Sequence, residues 1–387
     1  MKNKREGKRR TQKIIFAVIG SVLALVLLVT SGALWYINHL LNKIGRIDPE
    51  LEYTVSSSEA EDIIQNDPDI QPIDPSGSEP YIPNEDIISP PGIVHPTLPS
   101  TPESPTTGTN PTTQPPTTAP NNEIFGDHLV NILLVGQDCR EGEPRQRSDT
   151  MILASVNKSN HTITLTSFMR DMYVYIPGYQ PNRLNAAYAF GGMSLLCKTM
   201  EVNFGVKVDG VVEVKFGQFE AIIDLLGGVD VMMTKEEAAY LHTLYEIGML
   251  SSPTYEGKNH LDGKQARFYA QLREIDSDYQ RTARQRKVLI ALIEAYKNQP
   301  LDKMIGLLDE ILPMVSTNLS NAEILGYAIE LFPMLATAKI ETLRLPLEGH
   351  YSYGLVEIRP GFCAWLQYNI DFEAHKNALW EVFRRRS

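Results

Sequence analysis

The chain has 387 residues, 36 Lys and Arg against 47 Asp and Glu, and three cysteines. That is longer than one ordinary domain requires, and the net charge is −11. Three cysteines exclude a disulfide-stapled scaffold, because at most one intramolecular bridge can form among Cys139, Cys197 and Cys363.

The first thirteen residues carry Lys2, Lys4, Arg5, Lys8, Arg9, Arg10 and Lys13, and Ile14 to Ile37 follows without a charge. At about 1.5 Å per residue this run spans a hydrocarbon core of roughly 30 Å, and the basic flank places the N-terminus in the cytoplasm. The run is longer than the apolar part of a cleaved signal peptide. It ends in Trp35-Tyr36, an interfacial pair rather than a small-residue cleavage site. The expectation is an uncleaved single-pass anchor with everything after it outside the membrane.

Ile47 to Asp127 has no Lys or Arg and fifteen Asp and Glu, and from Ser89 onward Pro, Thr and Ser recur without hydrophobic period. Such a segment cannot bury enough apolar surface to offset its chain entropy and is expected to be a disordered acidic tether. The anchor region to Arg46 nets +8 and the tether −15, which leaves about −4 for His128 onward. The acidity therefore belongs mostly to the tether.

His128 to Ser387 forms the folded part. Strands are predicted over Asn131 to Val135, Met151 to Val156, Thr162 to Phe168 and Met172 to Ile176, and again over Val211 to Val214 and Val229 to Met233. Helices are predicted over Met193 to Asn203, closed by Gly205, and over Phe216 to Leu226, closed by Gly227-Gly228. Thr234 with Glu237 is a capping box for the next helix. Beyond Lys297, Leu301 to Leu312, Ala322 to Leu335 and Trp365 to Phe383 carry helical patterning, interrupted by the turn-rich LRLPLEGHYSYG. The fold class is α/β, a central mixed sheet flanked by helices.

Gly136 to Asp171 concentrates the chemistry. Asp138, Arg140, Arg145, Arg147, Asp149, Arg170 and Asp171 flank two apolar runs, so these charges sit at strand ends. Carboxylates mixed with guanidiniums suit a divalent cation together with a phosphate, which points to a Mg²⁺ and pyrophosphate site. Lys264 to Lys287 is a second cluster, seven Lys and Arg against three Asp and Glu, and it calls for an anionic partner. With a helix starting near Arg281, the side chains of Arg281, Gln285, Val288, Leu292 and Ala295 share one stripe. Its polar start is placed at the sheet edge, whereas Arg286 and Lys287 fall off the stripe and are expected in solvent. Met200, Phe204, Phe216, Phe219, Ile222, Ile223 and Leu226 could line a tunnel for a lipid, but core packing explains them more simply. Cys139 has no histidine in a recognisable pairing and is taken as structural.

The segments GQDCR, RSDTMIL, FMRDMYVYIPGY, RLNAAYAFGG, GGVDV, HLDGKQA and IDSDYQRTARQRKVL, in that order, resemble the LytR-CpsA-Psr family of bacterial cell-envelope enzymes over about Asn131 to Lys297. The resemblance implies an extracytoplasmic α/β domain. It would take a glycopolymer, a teichoic acid or a capsular polysaccharide, from a polyprenyl pyrophosphate carrier and join it to a peptidoglycan hydroxyl through a phosphodiester. It implies that Asp138 and Asp149 bind Mg²⁺, or another divalent cation such as Mn²⁺, and that Arg147, Arg170, Arg273, Arg281 and Gln285 contact the pyrophosphate, with Arg140 beside them. Asp171 matches the acid following the FMR arginine, either a partner that orients Arg170 or a base. Asp138, Arg147, Asp149, Arg170 and Asp171 are thus the expected catalytic set. Gln271 stands where the family commonly has an arginine, so the pyrophosphate loses one charge-assisted contact there unless Lys264 or Arg267 replaces it. A pyrophosphatase with water as nucleophile would use the same residues. A membrane sensor or transcriptional regulator is disfavoured, because about thirteen cytoplasmic residues cannot make a folded DNA-binding unit.

Overall fold

The computed structural model describes residues 35–47, 54–65, 70–72, 128–137, 148–335, 337–359 and 362–384. In chain order the elements are α1 (described over residues 35–41), β1 (Gly45–Arg46), α2 (Ser57–Gln65), β2 (Gln71–Pro72), β3 (Leu129–Gln137), β4 (Ser148–Asn157), β5 (Thr162–Phe168), β6 (Tyr173–Val174), β7 (Asn182–Arg183), α3 (Leu184–Phe204) and β8 (Gly210–Lys215). They continue with α4 (Phe216–Leu225), β9 (Val229–Met233), α5 (Lys235–Glu246), β10 (Gly257–Leu261), α6 (Gly263–Gln271), α7 (Asp278–Lys297), α8 (Leu301–Ile311), β11 (Ser316–Thr317), α9 (Asn321–Leu335), β12 (Lys339–Leu345), β13 (Ser352–Arg359), β14 (Phe362–Tyr368) and α10 (Phe372–Arg384).

A seven-stranded sheet runs β1-β11-β8-β3-β4-β5-β12. β8, β3, β5 and β12 point one way, with β8 parallel to β3 and β12 parallel to β5. β4 lies antiparallel between β3 and β5. The carboxyl ends of four strands and the amino end of β4 therefore share one edge. Register fixes which residues meet there: Lys215 is opposite Gln137, Gln137 opposite Ser148, and Arg344 opposite Ser167.

Alternation along β3 sorts its side chains between two layers. Leu129, Leu133 and Val135 join Met151, Leu153, Met200, Phe204 and Phe383 in a core on the α3 and α10 side. Val130, Ile132 and Leu134 face the other way, toward Leu289 of α7 and Tyr327 and Leu331 of α9. The two faces are not equally filled. Leu133 and Val135 are 0% and 2% exposed, whereas Ile132 and Leu134, one residue away on each strand step, are only half-buried, as are Val212 and Val214 on β8. The α7-side face of the mid-sheet thus carries apolar side chains that are only partly covered. Of the residues considered for a tunnel, Met200 and Phe204 are sealed in the opposite layer. Ile222 and Leu226 pack with Val214 on the α7 side.

Several expectations need correcting. Acidic composition predicts disorder throughout Ile47 to Asp127, yet α2 forms within it, capped by reciprocal bonds between Ser56 and Glu59. Ala60, Ile64 and Ile70 are buried in the α3-side core, and β2 pairs with β14. The average charge of the segment conceals a short amphipathic helix whose Ala60 and Ile64 lie four residues apart on one face. Likewise, helical patterning over Trp365 to Phe383 resolves into β14 followed by α10, and the turn-rich interruption lies between β12 and β13, giving a hairpin of β13 and β14. Met172 to Ile176 shortens to the two-residue β6. Among the described residues no helix is long and apolar enough to cross a membrane; Ile14 to Ile37 lies outside them except for its last three residues.

Candidate active site

The shared sheet edge gathers the charged residues. β3 and β4 close with Gln137 opposite Ser148, after Gly136 opposite Thr150, so the ladder slips by one residue and Asp149 is the extra residue of a bulge. Bulges break the ladder's alternation and re-aim the backbone next to a site. Asp138, Cys139, Arg140, Arg145 and Arg147 lie outside the described residues, as does the side chain of Asp149. In sequence Asp138 follows the paired Gln137, and the backbone of Asp149 adjoins the paired Ser148.

Arg170 and Asp171 follow directly from the end of β5. The Asp171 carboxylate lies 3.3 Å from Arg170 Nε through one oxygen and 3.7 Å from Arg183 Nη1 through the other. Its own backbone is fixed, since Asp171 O accepts from Gln367 N at 3.0 Å and Arg170 O accepts from Asn185 N at 3.3 Å. Asp171 is therefore a bracket for two guanidiniums. Arg183 was not singled out from sequence, although it opens the RLNAAYAFGG segment immediately before α3. Burial pushes its guanidinium down to about 10, the cost of holding a cation away from water.

The second cluster comes from α7 and the turn before it. Arg281 is buried on the predicted stripe, with Val288 beneath it, and its Nη2 meets Asp278 Oδ1 at 2.8 Å. Arg273 Nε lies 3.8 Å from the same oxygen, so one carboxylate holds two guanidiniums. Gln285 is half-buried one turn on. Gln271 does not stand alone: its Oε1 accepts from Arg267 Nη1 at 2.8 Å, and Arg267 is also tied to Glu220. Arg267 therefore occupies the space beside Gln271, with part of its charge met by Glu220.

Arg284 and Arg286 were misjudged or missed. Arg284 is 1% exposed and takes a two-pronged bond to Asp276, 2.7 and 2.8 Å, with Glu237 at 3.4 Å. This network fixes the turn carrying Arg273. Arg286, expected in solvent, reaches back over the sheet and donates from Nη1 to Ser167 Oγ at 2.6 Å. Lys287 is exposed as expected. Helical periodicity alone could not have found the Arg286 contact, because it reports distance from one stripe and not the strand end lying across the helix.

The arrangement can neutralise a compact polyanion at the sheet edge, next to the partly covered apolar side chains of Leu134 and Val214. The LytR_cpsA_psr family model matches residues 105–359, well over half the chain. The chain belongs to the LytR-CpsA-Psr family. TagT of Bacillus subtilis (strain 168), named polyisoprenyl-teichoic acid–peptidoglycan teichoic acid transferase, is 33% identical over 225 residues, 57% of this chain and 68% of its own. TagU of Bacillus mycoides (strain KBAB4), bearing the same transferase description, is 32% identical over 232 residues, 59% of this chain and 72% of its own. A solved structure of TagT bound to LIIa-WTA superposes with a TM-score of 0.52 at 26% identity, covering 72% of this chain and 96% of that one. The LytR-CpsA-Psr match extends past α7 through β12 and β13, and thus takes in Arg344 and the start of the hairpin.

Proposed function

We propose that this chain transfers a glycopolymer, a teichoic acid or another wall or capsular polysaccharide, from a polyprenyl pyrophosphate carrier to a hydroxyl of peptidoglycan. The observation that carries the reading is a set of carboxylate-held guanidiniums at the sheet's end, with partly covered apolar side chains on the same sheet. A pyrophosphate needs the first and a polyprenyl chain the second. The family relatives named as teichoic acid transferases support the same substrate class.

Arg170 and Arg183, held by Asp171, and Arg273 and Arg281, held by Asp278, are positioned to bind the phosphoryl oxygens and to meet charge that builds on the leaving lipid phosphate. The acceptor oxygen forms a bond to the phosphorus nearest the polymer as the bridging bond to the lipid phosphate breaks, and the hydroxyl proton leaves to solvent or a base. Because their carboxylates hold arginines, Asp171 and Asp278 serve to orient rather than to take that proton. The donor set suits a hard divalent cation: Asp138 follows β3 in sequence and Asp149 is the extra residue of the β4 bulge, both carboxylates. Mg²⁺ held by them would supply neutralisation of the pyrophosphate charge. We place the basic-flanked run Ile14 to Ile37 in the membrane, N-terminus inside, with the folded part at the outer surface where carrier and acceptor meet.

The test is product analysis with a short-chain polyprenyl pyrophosphate-linked saccharide and a peptidoglycan glycan as acceptor. Phosphodiester-linked product and polyprenyl monophosphate are expected, and both are lost in Asp138→Ala and Asp149→Ala. Release of only free saccharide phosphate in the presence of acceptor would make the enzyme a hydrolase. Full activity in chelator would remove the metal.

A further inference from the structure

Next to the sheet edge stands a surface that pyrophosphate chemistry does not use. Tyr353 on β13 is 59% exposed and stacks on Trp365 of β14, ring centroids 5.4 Å apart and planes 26° from parallel. This pair is anchored to the site from two sides. Opposite Tyr353 in the ladder is Gln367, whose backbone N–H donates to Asp171 O at 3.0 Å. Two residues before Tyr353, the Tyr351 hydroxyl is hydrogen-bonded to that of Tyr279 on α7.

Tyr279 in turn lies under Arg344, whose guanidinium carbon is 4.3 Å from the ring centroid. Arg344 is opposite Ser167, the residue that Arg286 bonds. Two guanidiniums thus converge beside Tyr279, which the Tyr351 hydroxyl ties to the start of the strand carrying Tyr353, and among the described residues neither has a carboxylate within 4.0 Å. Burial, and then the charge of Arg344, pushes Arg286 down to about 10. Among the described residues the buried arginines are matched: Arg284 by Asp276 and Glu237, Arg281 by Asp278, Arg183 by Asp171. Like charges brought together with no counter-charge among the described residues favour an anion beside them. The exposed Tyr353 ring, backed by the half-buried Trp365, suits an amphipathic partner, and the C–H face of a pyranose ring is one.

We propose that Tyr353, Trp365, Arg286 and Arg344 form a subsite for an anionic saccharide, its sugar ring on Tyr353 and its carboxylate or phosphate against the two guanidiniums. A carboxylate would come from a muramic-type residue of the acceptor glycan, a phosphate from the polymer being delivered. The subsite deepens the transferase reading and rests on it for what happens after binding, not for binding itself.

The experiment measures calorimetric affinity of the full-length protein in detergent, without lipid pyrophosphate, for three probes. These are a peptide-free glycan tetrasaccharide bearing muramic carboxylates, a phosphate-bearing disaccharide, and neutral chitotetraose. One anionic probe is expected to bind more tightly than chitotetraose, and the one that does identifies the source as acceptor or polymer. Tyr353→Ala is expected to weaken it by about tenfold and Tyr353→Phe to restore it. Arg344→Gln is expected to abolish the preference for the anionic over the neutral sugar. Tyr353 is exposed, so its loss leaves the core intact, and an equal affinity of Tyr353→Ala and wild type would overturn the proposal. So would equal binding of all three sugars, or binding of none. Because no lipid is present, a failure of transfer leaves these affinities standing, and a failure here leaves transfer standing.

Discussion

Arg286 Nη1 donates to Ser167 Oγ across 2.6 Å, joining the first turns of α7 to the end of β5. The bond carries a cation to within reach of Arg344, and burial makes their repulsion more costly than it would be in water. Arg286→Met should therefore leave the ligand-free protein as stable as wild type or raise its melting temperature by about 2–4 °C, the equivalent of roughly 1 kcal/mol. A fall of that size in a thermal melt without added anion would show that the guanidinium is already compensated.

Arg284 behaves in the opposite way because its charge is met. Arg284→Met strands Asp276 and leaves Glu237, itself buried, with Lys287 at 3.8 Å and the Tyr269 hydroxyl at 3.1 Å. Loss of about 3–5 kcal/mol is expected in denaturant unfolding. A cost under about 1 kcal/mol would mean that the network does not hold the turn before α7.

Arg273→Gln and Arg281→Gln are each expected to weaken a short-chain polyprenyl pyrophosphate analogue by about 1.5–3 kcal/mol. Gln271→Arg should tighten it by about 1–2 kcal/mol, because the new guanidinium releases Arg267 from its bond to Oε1 and adds a charge. The exposed Lys264→Gln serves as the surface comparison. Weaker binding in Gln271→Arg would show that position 271 faces away from the phosphates.

His375 sets an acid limit on stability. Its ring is fully buried, with Nε2 accepting from Leu347 N at 2.8 Å and Nδ1 facing Asp371 O. Burial lowers its pKa, and His350, which pairs with the Asp371 carboxylate, adds to the lowering. A histidine whose folded pKa lies below its unfolded value contributes stability that is present above about pH 6.5 and is lost as pH falls through the folded value. Wild type should lose melting temperature from about pH 7 to about pH 5 more steeply than His375→Gln, which can still accept from Leu347 N without titrating. Parallel profiles would assign the acid sensitivity elsewhere.

Much of the fold was legible where local chemistry and tertiary packing agree. β5 and β9 have the predicted bounds because β-branched runs end at turn residues. Gly205 ends α3 at φ 63°, and Thr234 caps α5 with Glu237 returning the bond. In the site, Arg170, Asp171 and Arg281 could be placed because each adjoins an apolar run whose direction is fixed. Arg183, Arg286 and Arg344 could not, since what gives them meaning is a neighbour far along the chain: Asp171, Ser167 and Tyr279. Composition misled at α2 for a related reason, as a few well-spaced apolar residues outweigh many charges once a core is there to receive them.

The pairing of β1 with β11 changes how the acidic segment acts. Gly45 and Arg46 are already part of the main sheet, opposite Ser316 and Thr317, and α2 and β2 dock against the body before the chain reaches β3. With Ile14 to Ile37 in the bilayer as proposed, only a few residues separate the membrane from the sheet, and the catalytic edge rides at a fixed height near the lipid surface. The stretch 73–127 then begins and ends on the same body, so its length does not set the enzyme's reach. Shortening that stretch would leave the distance to the carrier unchanged, whereas inserting residues between Trp35 and Gly45 would lift the whole enzyme off the lipid it must empty.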